Sequence, residues 1–263
     1  MHKFAVFGNP ISHSISPLMH NLAIKELGLD AFYGRVLLET ATDLKQKFLN
    51  LGLNGANITV PFKLEAYRIS DELSEAAREI GSVNTLVRKN SKFYGYNTDA
   101  PGFYEAIREF GSLKRVLVLG AGGTTRAIGY ILAKNGVKFD ILNRSEKEPE
   151  NFKCENFYTY ENFKFQSYDL IVNSTSAGLK DDFLPAPAEI LDAVFKEAKF
   201  AFDAIYGKIT PFLNLANSMN LRTKDGREML INQGALAFNL FYDNKFDTAQ
   251  IAKFMARAVS LKC

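Results

Sequence analysis

Strand patterns and helical patterns alternate along this chain from its beginning to its end. Short apolar runs predict strands, and apolar residues spaced three and four apart predict helices. The predicted strands cover 3–7, 32–38, 55–63, 82–88, 92–96, 116–119, 137–142, 168–173, 200–206 and 221–224. The predicted helices cover 17–27, 42–51, 64–80, 102–110, a stretch after 123 that ends at 135, 187–198, 211–219, 229–242 and 248–261. This alternation predicts an α/β protein.

The order of these elements predicts two domains, which suits 263 residues at roughly 150 residues per domain. The first hundred residues read β-α-β-α-β-α-β-β, an α/β domain. From residue 101 on, strands and helices alternate as in a doubly wound parallel sheet. We expect the two last helices to return to the first domain, which gives domains of 1–100 plus 230–263 and of 101–229.

Local signals make three further predictions about element ends and loops. Ser16 precedes Pro17 as an N-cap precedes a proline at the first helical position. Asp99 is a candidate N-cap for the helix over 102–110. The most polar stretch, residues 145–156, predicts a loop.

Composition narrows the class of protein. The apolar fraction of 47% is enough to form hydrophobic cores. The net charge is +3, and the chain has no block of basic residues that would indicate nucleic-acid or membrane binding. Two cysteines outside any C-x-x-C pair predict a reduced, cytoplasmic compartment. Three histidines make a histidine-based metal site improbable. We see neither a membrane-spanning apolar stretch nor a signal-peptide pattern.

The apolar run over 116–119 leads into Gly120-Ala121-Gly122-Gly123 and then into a helix. Glycines allow a tight turn and close approach of a ligand, and the helix N-terminus attracts an anion. This predicts a dinucleotide-binding turn, although Thr125 stands where the third glycine of G-x-G-x-x-G belongs, so a purely structural turn is the alternative.

The strand after this turn ends at Asn143 and Arg144, where NAD-binding sites carry an acidic residue. A guanidinium there would attract the 2′-phosphate of NADP. The alternative is a solvated loop arginine.

Polar residues of the first domain suit a small anionic ligand. Ser14 and Ser16 could hold a carboxylate, unless Ser16 serves only as a helix cap. Asn57 and Thr59 alternate on one strand and so face one side. Lys63 and Asp99 would form a proton-transfer pair if they met, but an isolated lysine is usually a surface residue.

Eight short motifs in this order resemble the shikimate dehydrogenase family over nearly the whole chain. They are GNPI with SISP (8–11 and 14–17), NITVPFK (57–63), GSVNT (81–85), GYNTD (95–99), GAGGTTRA (120–127), NRS (143–145), NSTSAG (173–178) and GREMLINQ (226–233). The resemblance implies reversible NADP-dependent reduction of 3-dehydroshikimate to shikimate, a step of aromatic amino-acid synthesis by way of chorismate.

The resemblance also implies roles for individual residues. Lys63 is the catalytic acid and base, paired with Asp99. The residues implied to bind substrate are Ser14, Ser16, Asn57, Thr59, Asn84, Tyr206 and Gln233. Those implied to bind NADP are Glu75, Gly120, Ala121, Gly122, Gly123, Thr124, Asn143, Arg144, Ser145, Ala204 and Gly226. Neutral hydrogen-bonding side chains suit the hydroxyls of such a substrate, and the nicotinamide carries the hydride chemistry.

Three positions depart from the family's pattern. Ile15 replaces a common lysine between the two serines. Glu148 stands where the family has a second basic residue, with Lys147 one position early, which predicts a weaker preference for NADP. Gly207 and the residue after it replace a common Asn-Pro in the loop that follows Tyr206.

Three rival functions stay open at this point. One is a quinate/shikimate dehydrogenase that uses NAD. Another is a non-catalytic NADP-binding module, which would have no need for an acid-base pair. The third is a folate dehydrogenase of similar structure, which would leave the Ser-x-Ser pair unexplained. The expected partner is a small molecule, and a homodimer stays open.

Overall fold

The computed structural model describes residues 1–147 and 152–261. The strands are β1 (His2–Gly8), β2 (Ala31–Leu37), β3 (Gly55–Ile58), β4 (Glu72–Leu73), β5 (Thr85–Lys89), β6 (Lys92–Tyr96), β7 (Arg115–Leu119), β8 (Lys138–Asn143), β9 (Asn156–Thr159), β10 (Leu170–Asn173), β11 (Phe200–Asp203) and β12 (Arg222–Lys224). The helices are α1 (Ser16–Glu26), α2 (Leu44–Asn50), α3 (Lys63–Ile69), α4 (Glu75–Ile80), α5 (Asp99–Ile107), α6 (Gly123–Lys134), α7 (Ala188–Glu197), α8 (Pro211–Ser218), α9 (Arg227–Phe241) and α10 (Thr248–Ser260).

The chain divides into two compact units. Unit 1 comprises Met1–Gly102 and Leu230–Cys263, and unit 2 comprises Phe103–Met229. The C-terminal helices therefore return to the first unit, where α10 packs against α1.

Unit 1 is built on a mixed six-stranded sheet of order β2-β1-β3-β5-β6-β4. β1 lies parallel to both β2 and β3, whereas β5 runs antiparallel to β3 and to β6. The fully buried rings of Phe7, Phe48 and Phe93 belong to one hydrophobic cluster against this sheet. The pairing of β3 with β5 places Asn57 directly opposite Thr85.

The predicted single helix over 64–80 is wrong, because the chain forms α3, the short strand β4 and α4 instead. Asp71 makes the break: its N–H donates to the Phe93 carbonyl at 2.8 Å, and its carboxylate accepts the Phe93 N–H at 2.7 Å. Ser74 then starts α4 by accepting the Ala77 N–H at 3.2 Å. Sheet pairing with β6 thus overrides the helical pattern.

The predicted third strand over 55–63 is too long. β3 ends at Ile58, and a turn closed by the Phe62 N–H and the Thr59 carbonyl at 3.0 Å follows. Lys63 is consequently the first residue of α3. Its side chain is therefore held at the start of a helix, a few residues beyond the carboxyl end of a central strand.

Unit 2 is a fully parallel six-stranded sheet of order β12-β11-β10-β7-β8-β9. This confirms the predicted doubly wound sheet, in which the strand order reverses beside β7. Residues of β7 alternate between two cores: Val116 and Val118 pack on one face, and Leu117 and Leu119 pack on the other. A strand buried on both faces explains the continuous apolar run in the sequence.

The predicted loop over 145–156 is confirmed for the described residues 145–147 and 152–155, which belong to no helix or strand. Residues 148–151 lie outside the described residues, and β9 begins at Asn156 in parallel pairing with β8. The side chain of Asn156 donates to the buried carboxylate of Asp140 at 2.8 Å. This polar anchor, rather than an apolar run, begins the edge strand, so hydrophobic patterning missed it.

Candidate functional site

The Lys63 ammonium and the Asp99 carboxylate meet in unit 1. Lys63 Nζ lies 2.6 Å from Asp99 Oδ2, and the two side chains are 22% and 14% exposed. Lys63 begins α3 and Asp99 begins α5, so two helix starts bring the pair together. The interpretation of Lys63 as a solvated surface residue is therefore wrong.

Asp99 is not the N-cap of its helix, because α5 begins at Asp99 itself. The side chain of Asn97 takes the capping role and accepts the Asp99 N–H at 3.1 Å and the Ala100 N–H at 3.4 Å. The Asp99 carboxylate is consequently available to side chains. It accepts a 2.9 Å hydrogen bond from Asn84 Nδ2 in addition to the contact with Lys63.

Asn84 is 3% exposed and lies at the centre of a polar network. Its Nδ2 also donates to Thr98 Oγ1 at 2.9 Å, while its Oδ1 accepts the Thr98 N–H at 2.8 Å. Thr85 adds a further hydroxyl donor to the same Oδ1 at 3.1 Å. A side chain held by this many partners cannot rotate freely, so it presents a fixed amide to the Lys63–Asp99 pair.

Asn57 joins this network from β3. Its Nδ2 donates to Thr85 Oγ1 at 3.1 Å, and its Oδ1 accepts the Tyr33 hydroxyl at 2.7 Å. Tyr33 is fully buried, and burial raises the pKa of its phenol. The sequence patterns indicated no role for Tyr33, Thr85 or Thr98. The available signal was that Thr85 directly follows Asn84 and Thr98 directly precedes Asp99, whereas Tyr33 looks like an ordinary core aromatic.

Ser14 and Ser16 come together at the start of α1, where their hydroxyl oxygens lie 3.3 Å apart. Ser16 is not the N-cap, because Ile15 occupies that position. The side chain of Ile15 makes no capping hydrogen bond. The Ser16 N–H points at Ser14 Oγ at 3.3 Å. Two hydroxyls beside a helix N-terminus form a neutral donor group that suits an anion.

Gln233 and Thr59 are held by close backbone approaches within unit 1. A Cβ on Gly102 would lie 2.8 Å from Gln233, so glycine lets α9 approach α5 three residues after Asp99. Gln233 Nε2 donates to the Leu230 carbonyl at 2.9 Å. A Cβ on Gly8 would lie 2.5 Å from Thr59 Cγ2, so glycine is also required beside Thr59.

In unit 2, the glycine-rich turn lies between the carboxyl end of β7 and the start of α6. Gly120 has φ of +100°, which only glycine adopts readily, and a Cβ there would lie 2.7 Å from Thr175. Gly122 and Gly123 are exposed, with no atom of the described residues within 4 Å of an added Cβ. The turn therefore presents open backbone at the N-terminus of a twelve-residue helix.

Thr125, which replaces the third glycine of the fingerprint, is fully buried beneath this turn. Its hydroxyl accepts the Gly122 N–H at 3.1 Å and donates to the Gly120 carbonyl at 3.0 Å. Ser174 Oγ lies 2.8 Å from the same hydroxyl. The departure from the fingerprint thus stabilises the turn instead of removing it.

Asn143 and Arg144 lie next to the turn, because the Gly120 N–H donates to the Leu142 carbonyl at 2.8 Å. Asn143 Nδ2 donates to the Ser145 carbonyl at 2.7 Å, and the side chains of Arg144 and Ser145 are exposed. Glu148, the expected departure from a second basic residue, lies outside the described residues.

A buried carboxylate organises the ends of β10 and β11. Asp203 accepts bonds from Thr210 Oγ1 at 2.6 Å, from Asn173 Nδ2 at 3.1 Å and from the Ile205 N–H at 3.0 Å. Burial raises the pKa of the Asp203 carboxyl, and these bonds oppose the rise. The sequence patterns gave Asp203 no role, although it is the last residue of β11 and directly precedes Ala204.

The remaining predicted residues of unit 2 are Ala204 and Tyr206, which lie within three positions of Asp203, and Gly226. A Cβ on Gly226 would lie 2.3 Å from the Ala204 carbonyl, so the two residues touch through their backbones. Tyr206 is half-buried, and burial raises the pKa of its phenol. Glu75 belongs to unit 1, where it is the exposed first residue of α4.

Two negative findings apply to residues 1–147 and 152–261. They contain no group of three His, Cys, Asp or Glu side chains that could hold a metal ion. No helix among them is long and apolar enough to cross a membrane.

Comparisons with known proteins show similarity over nearly the whole chain. The profile of the shikimate dehydrogenase substrate binding domain matches residues 6–86. Shikimate dehydrogenase (NADP(+)) of Helicobacter hepaticus is 46% identical, over 96% of this chain and 97% of that protein. The enzyme of the same name from Helicobacter pylori strain J99 is 42% identical, over 96% of this chain and 97% of its own length.

A solved structure shows the same likeness in three dimensions. Shikimate 5-dehydrogenase from Thermus thermophilus, in complex with NADP(H) and shikimate, superposes with a TM-score of 0.84 at 33% identity. The match covers 98% of this chain and 100% of that one. With a full-length relative at 46% identity, the chain belongs to the shikimate dehydrogenase family.

Proposed function

We propose that this chain catalyses the reversible, NADP-dependent interconversion of shikimate and 3-dehydroshikimate, a step in the synthesis of chorismate and the aromatic amino acids. The observation that carries the proposal is the Lys63–Asp99 pair, held at 2.6 Å and bridged to the Asn84 amide at 2.9 Å. An ammonium so placed can donate a proton to a carbonyl oxygen as it becomes a hydroxyl, or receive it in the reverse direction.

Different polar side chains of unit 1 bind different groups of the substrate. Ser14 and Ser16 donate to the carboxylate, which suits two hydroxyls at a helix start. The amide and hydroxyl side chains of Asn57, Thr59, Asn84 and Gln233 bind the ring hydroxyls, since each can both donate and accept. Asp99 holds the ammonium of Lys63 in place and contributes its own acceptor to the substrate.

NADP supplies the hydride chemistry when it is bound. The turn over 120–124 would accommodate its pyrophosphate, because Gly122 and Gly123 are exposed and added Cβ atoms there meet nothing within 4 Å in the described residues. Arg144 pairs with its 2′-phosphate beside Asn143 and Ser145. In this proposal Ala204, Gly226 and Glu75 would contribute to NADP binding, and Tyr206 would contribute to substrate binding.

These roles assign a function to each domain. Residues 1–100 and 230–263 bind substrate and carry the catalytic pair, and residues 101–229 bind NADP. A separately folded dinucleotide domain is consistent with the parallel sheet of unit 2 and its strand reversal beside β7.

Nicotinamide absorbance with the purified protein tests the function directly. Shikimate and quinate are each supplied with NADP and with NAD. We expect turnover with shikimate and NADP to exceed the other three combinations. Turnover confined to quinate and NAD would establish the rival dehydrogenase instead, and binding of NADPH without turnover of either acid would establish a non-catalytic module.

We further propose that the protein acts in the cytoplasm, and a homodimer is the assembly to be tested. The location follows from its cysteine usage, with Cys154 half-buried and its thiol pKa raised by burial. Fractionation of cells that express the native protein tests the location. Light scattering coupled to size exclusion tests the dimer, which a mass of one 29.4 kDa chain would exclude.

A further inference from the structure

Arg35 reaches from the edge strand β2 to the loop that precedes α1. Its Nε and Nη2 donate to the Ser14 carbonyl at 2.8 and 2.6 Å. The fold explains this reach, because Arg35 pairs with Val6 in the parallel register of β1 and β2, and β1 leads into that loop. A guanidinium is therefore tied to the backbone of one of the two serines proposed to bind a carboxylate.

The charge of this guanidinium matters because the serines themselves are neutral. Ile15 between them is buried and apolar, so the Ser-x-Ser segment itself supplies no cation. A guanidinium carries five N–H donors, and within the described residues two of Arg35's are engaged, both by Ser14. The remaining donors and the full positive charge stay next to the site.

We propose that Arg35 is a specificity-determining residue that favours a carboxylate over a neutral group at the Ser14–Ser16 site. The inference rests on the proposed function. Arg35 acts in two ways: it fixes the Ser14 backbone through charge-assisted bonds, and it lowers the energy of a nearby anion. Because Arg35 is exposed, salt must weaken the second effect.

The experiment compares an acid with its uncharged ester. KM and kcat are measured for shikimate and for its methyl ester in wild type, Arg35→Met and Arg35→Lys. Arg108→Met is the matched control, since it removes the same charge from an exposed arginine in unit 2. Repeating the series at low and high salt separates charge from loop geometry.

We expect Arg35→Met to raise KM for shikimate about fivefold at low salt, and less at high salt, as for other exposed charges. KM for the ester should rise less than KM for the acid, because only the change in the Ser14 backbone affects the ester, and kcat for the acid should stay near the wild-type value. Arg35→Lys should recover most of the loss because it keeps the charge, and Arg108→Met should behave as wild type.

Two results would overturn the role of Arg35 while the proposed function stands. One is an unchanged KM for shikimate in Arg35→Met. The other is an equal, salt-independent loss for acid and ester, which would make Arg35 a support of the loop only. A wild-type protein that turns over neither compound would instead refute the proposed function and the inference with it.

Discussion

The two units hold their candidate functional groups in different ways. In unit 1, the candidate groups are side chains held by other side chains: Lys63 by Asp99, Asp99 by Asn84, and Asn57 by Tyr33. In unit 2, the glycine-rich turn offers backbone and empty space, with Gly122 and Gly123 exposed. We therefore expect unit 1 to lose function when a functional side chain is removed. We expect unit 2 to lose function when an atom is added to its glycine-rich turn.

This difference fits the ligand that we propose for each unit. A small polyol acid needs directed donors and acceptors at fixed places, which a network of hydrogen-bonded side chains provides. A pyrophosphate needs several N–H groups and room for close approach, which side chains would obstruct. The comparison leads to predictions that remove a group from unit 1 and add one to unit 2.

Lys63→Ala should have the largest effect. Loss of the proton donor should lower kcat by about 10²–10⁴-fold, the range for general acid–base catalysis. Because the serines and amides remain, the Kd for shikimate should change little. Steady-state kinetics and calorimetric binding measure the two quantities, with Lys92→Ala, an exposed lysine of the same unit, as the control. A kcat within twofold of wild type would remove Lys63 from the catalytic role.

Gly120→Ala should destabilise the fold by about 3 kcal/mol. The methyl group meets Thr175 at 2.7 Å, and φ of +100° adds backbone strain. Gly136→Ala is the matched control, since Gly136 has φ of +70° with no described atom within 4 Å, and strain alone should cost about 1 kcal/mol. Urea unfolding measures both.

Gly122→Ala sharpens this test. Gly122 has φ of −99°, and an added Cβ meets open space, so stability should stay at the wild-type value. Affinity for NADPH should nevertheless fall, because the methyl group occupies the space proposed for the pyrophosphate. Equal NADPH affinity in wild type and Gly122→Ala would place the pyrophosphate elsewhere.

The sequence carried more information about unit 2 than about the site in unit 1. The apolar run over 116–119 and the glycines that follow are local signals, and the parallel sheet follows from them. The meeting of Lys63 and Asp99 is not local, because 36 positions separate them and the packing of α3 and α5 brings them together. Motifs shared with a family suggested the pair, whereas residue spacing alone left it open.

The features of unit 1 that the sequence patterns did not predict share a physical cause. Hydrophobic patterning scores Tyr33 as a core ring, which it is, and cannot show that its hydroxyl bonds Asn57. The break in the helix over 64–80 depends on Asp71 pairing with Phe93 in a strand that comes later in the chain. In both places, the partner of a polar group comes from a different strand that lies more than 20 positions away in the chain.

Below the network of unit 1, His20 stacks on Tyr33 with ring centroids 4.1 Å apart. Burial lowers the pKa of His20 from 6.5 to about 3. Below pH 6.5 the unfolded chain therefore binds a proton on His20 that the folded chain does not bind. The free energy of unfolding consequently falls as the pH drops from 6.5 toward 3.

His20→Phe should remove this dependence. Between pH 7 and pH 5, wild type should lose about 2 kcal/mol of unfolding free energy relative to His20→Phe. Urea unfolding at both pH values measures the difference. His13→Gln, which changes an exposed histidine, should keep the wild-type slope. Parallel curves for wild type and His20→Phe would show that His20 takes up its proton in the folded state.

Arg144→Ala should have the smallest effect, because Arg144 is an exposed side chain at the end of β8. Loss of its charge-assisted contact should weaken NADPH binding about tenfold, equal to about 1.4 kcal/mol. NADH lacks the 2′-phosphate, so its Kd should not change. Fluorescence titration of both cofactors measures the ratio, with Arg108→Ala as the control for net charge. Equal weakening of NADPH and NADH would mean that Arg144 supports the turn, and the preference for NADP would then need another cation.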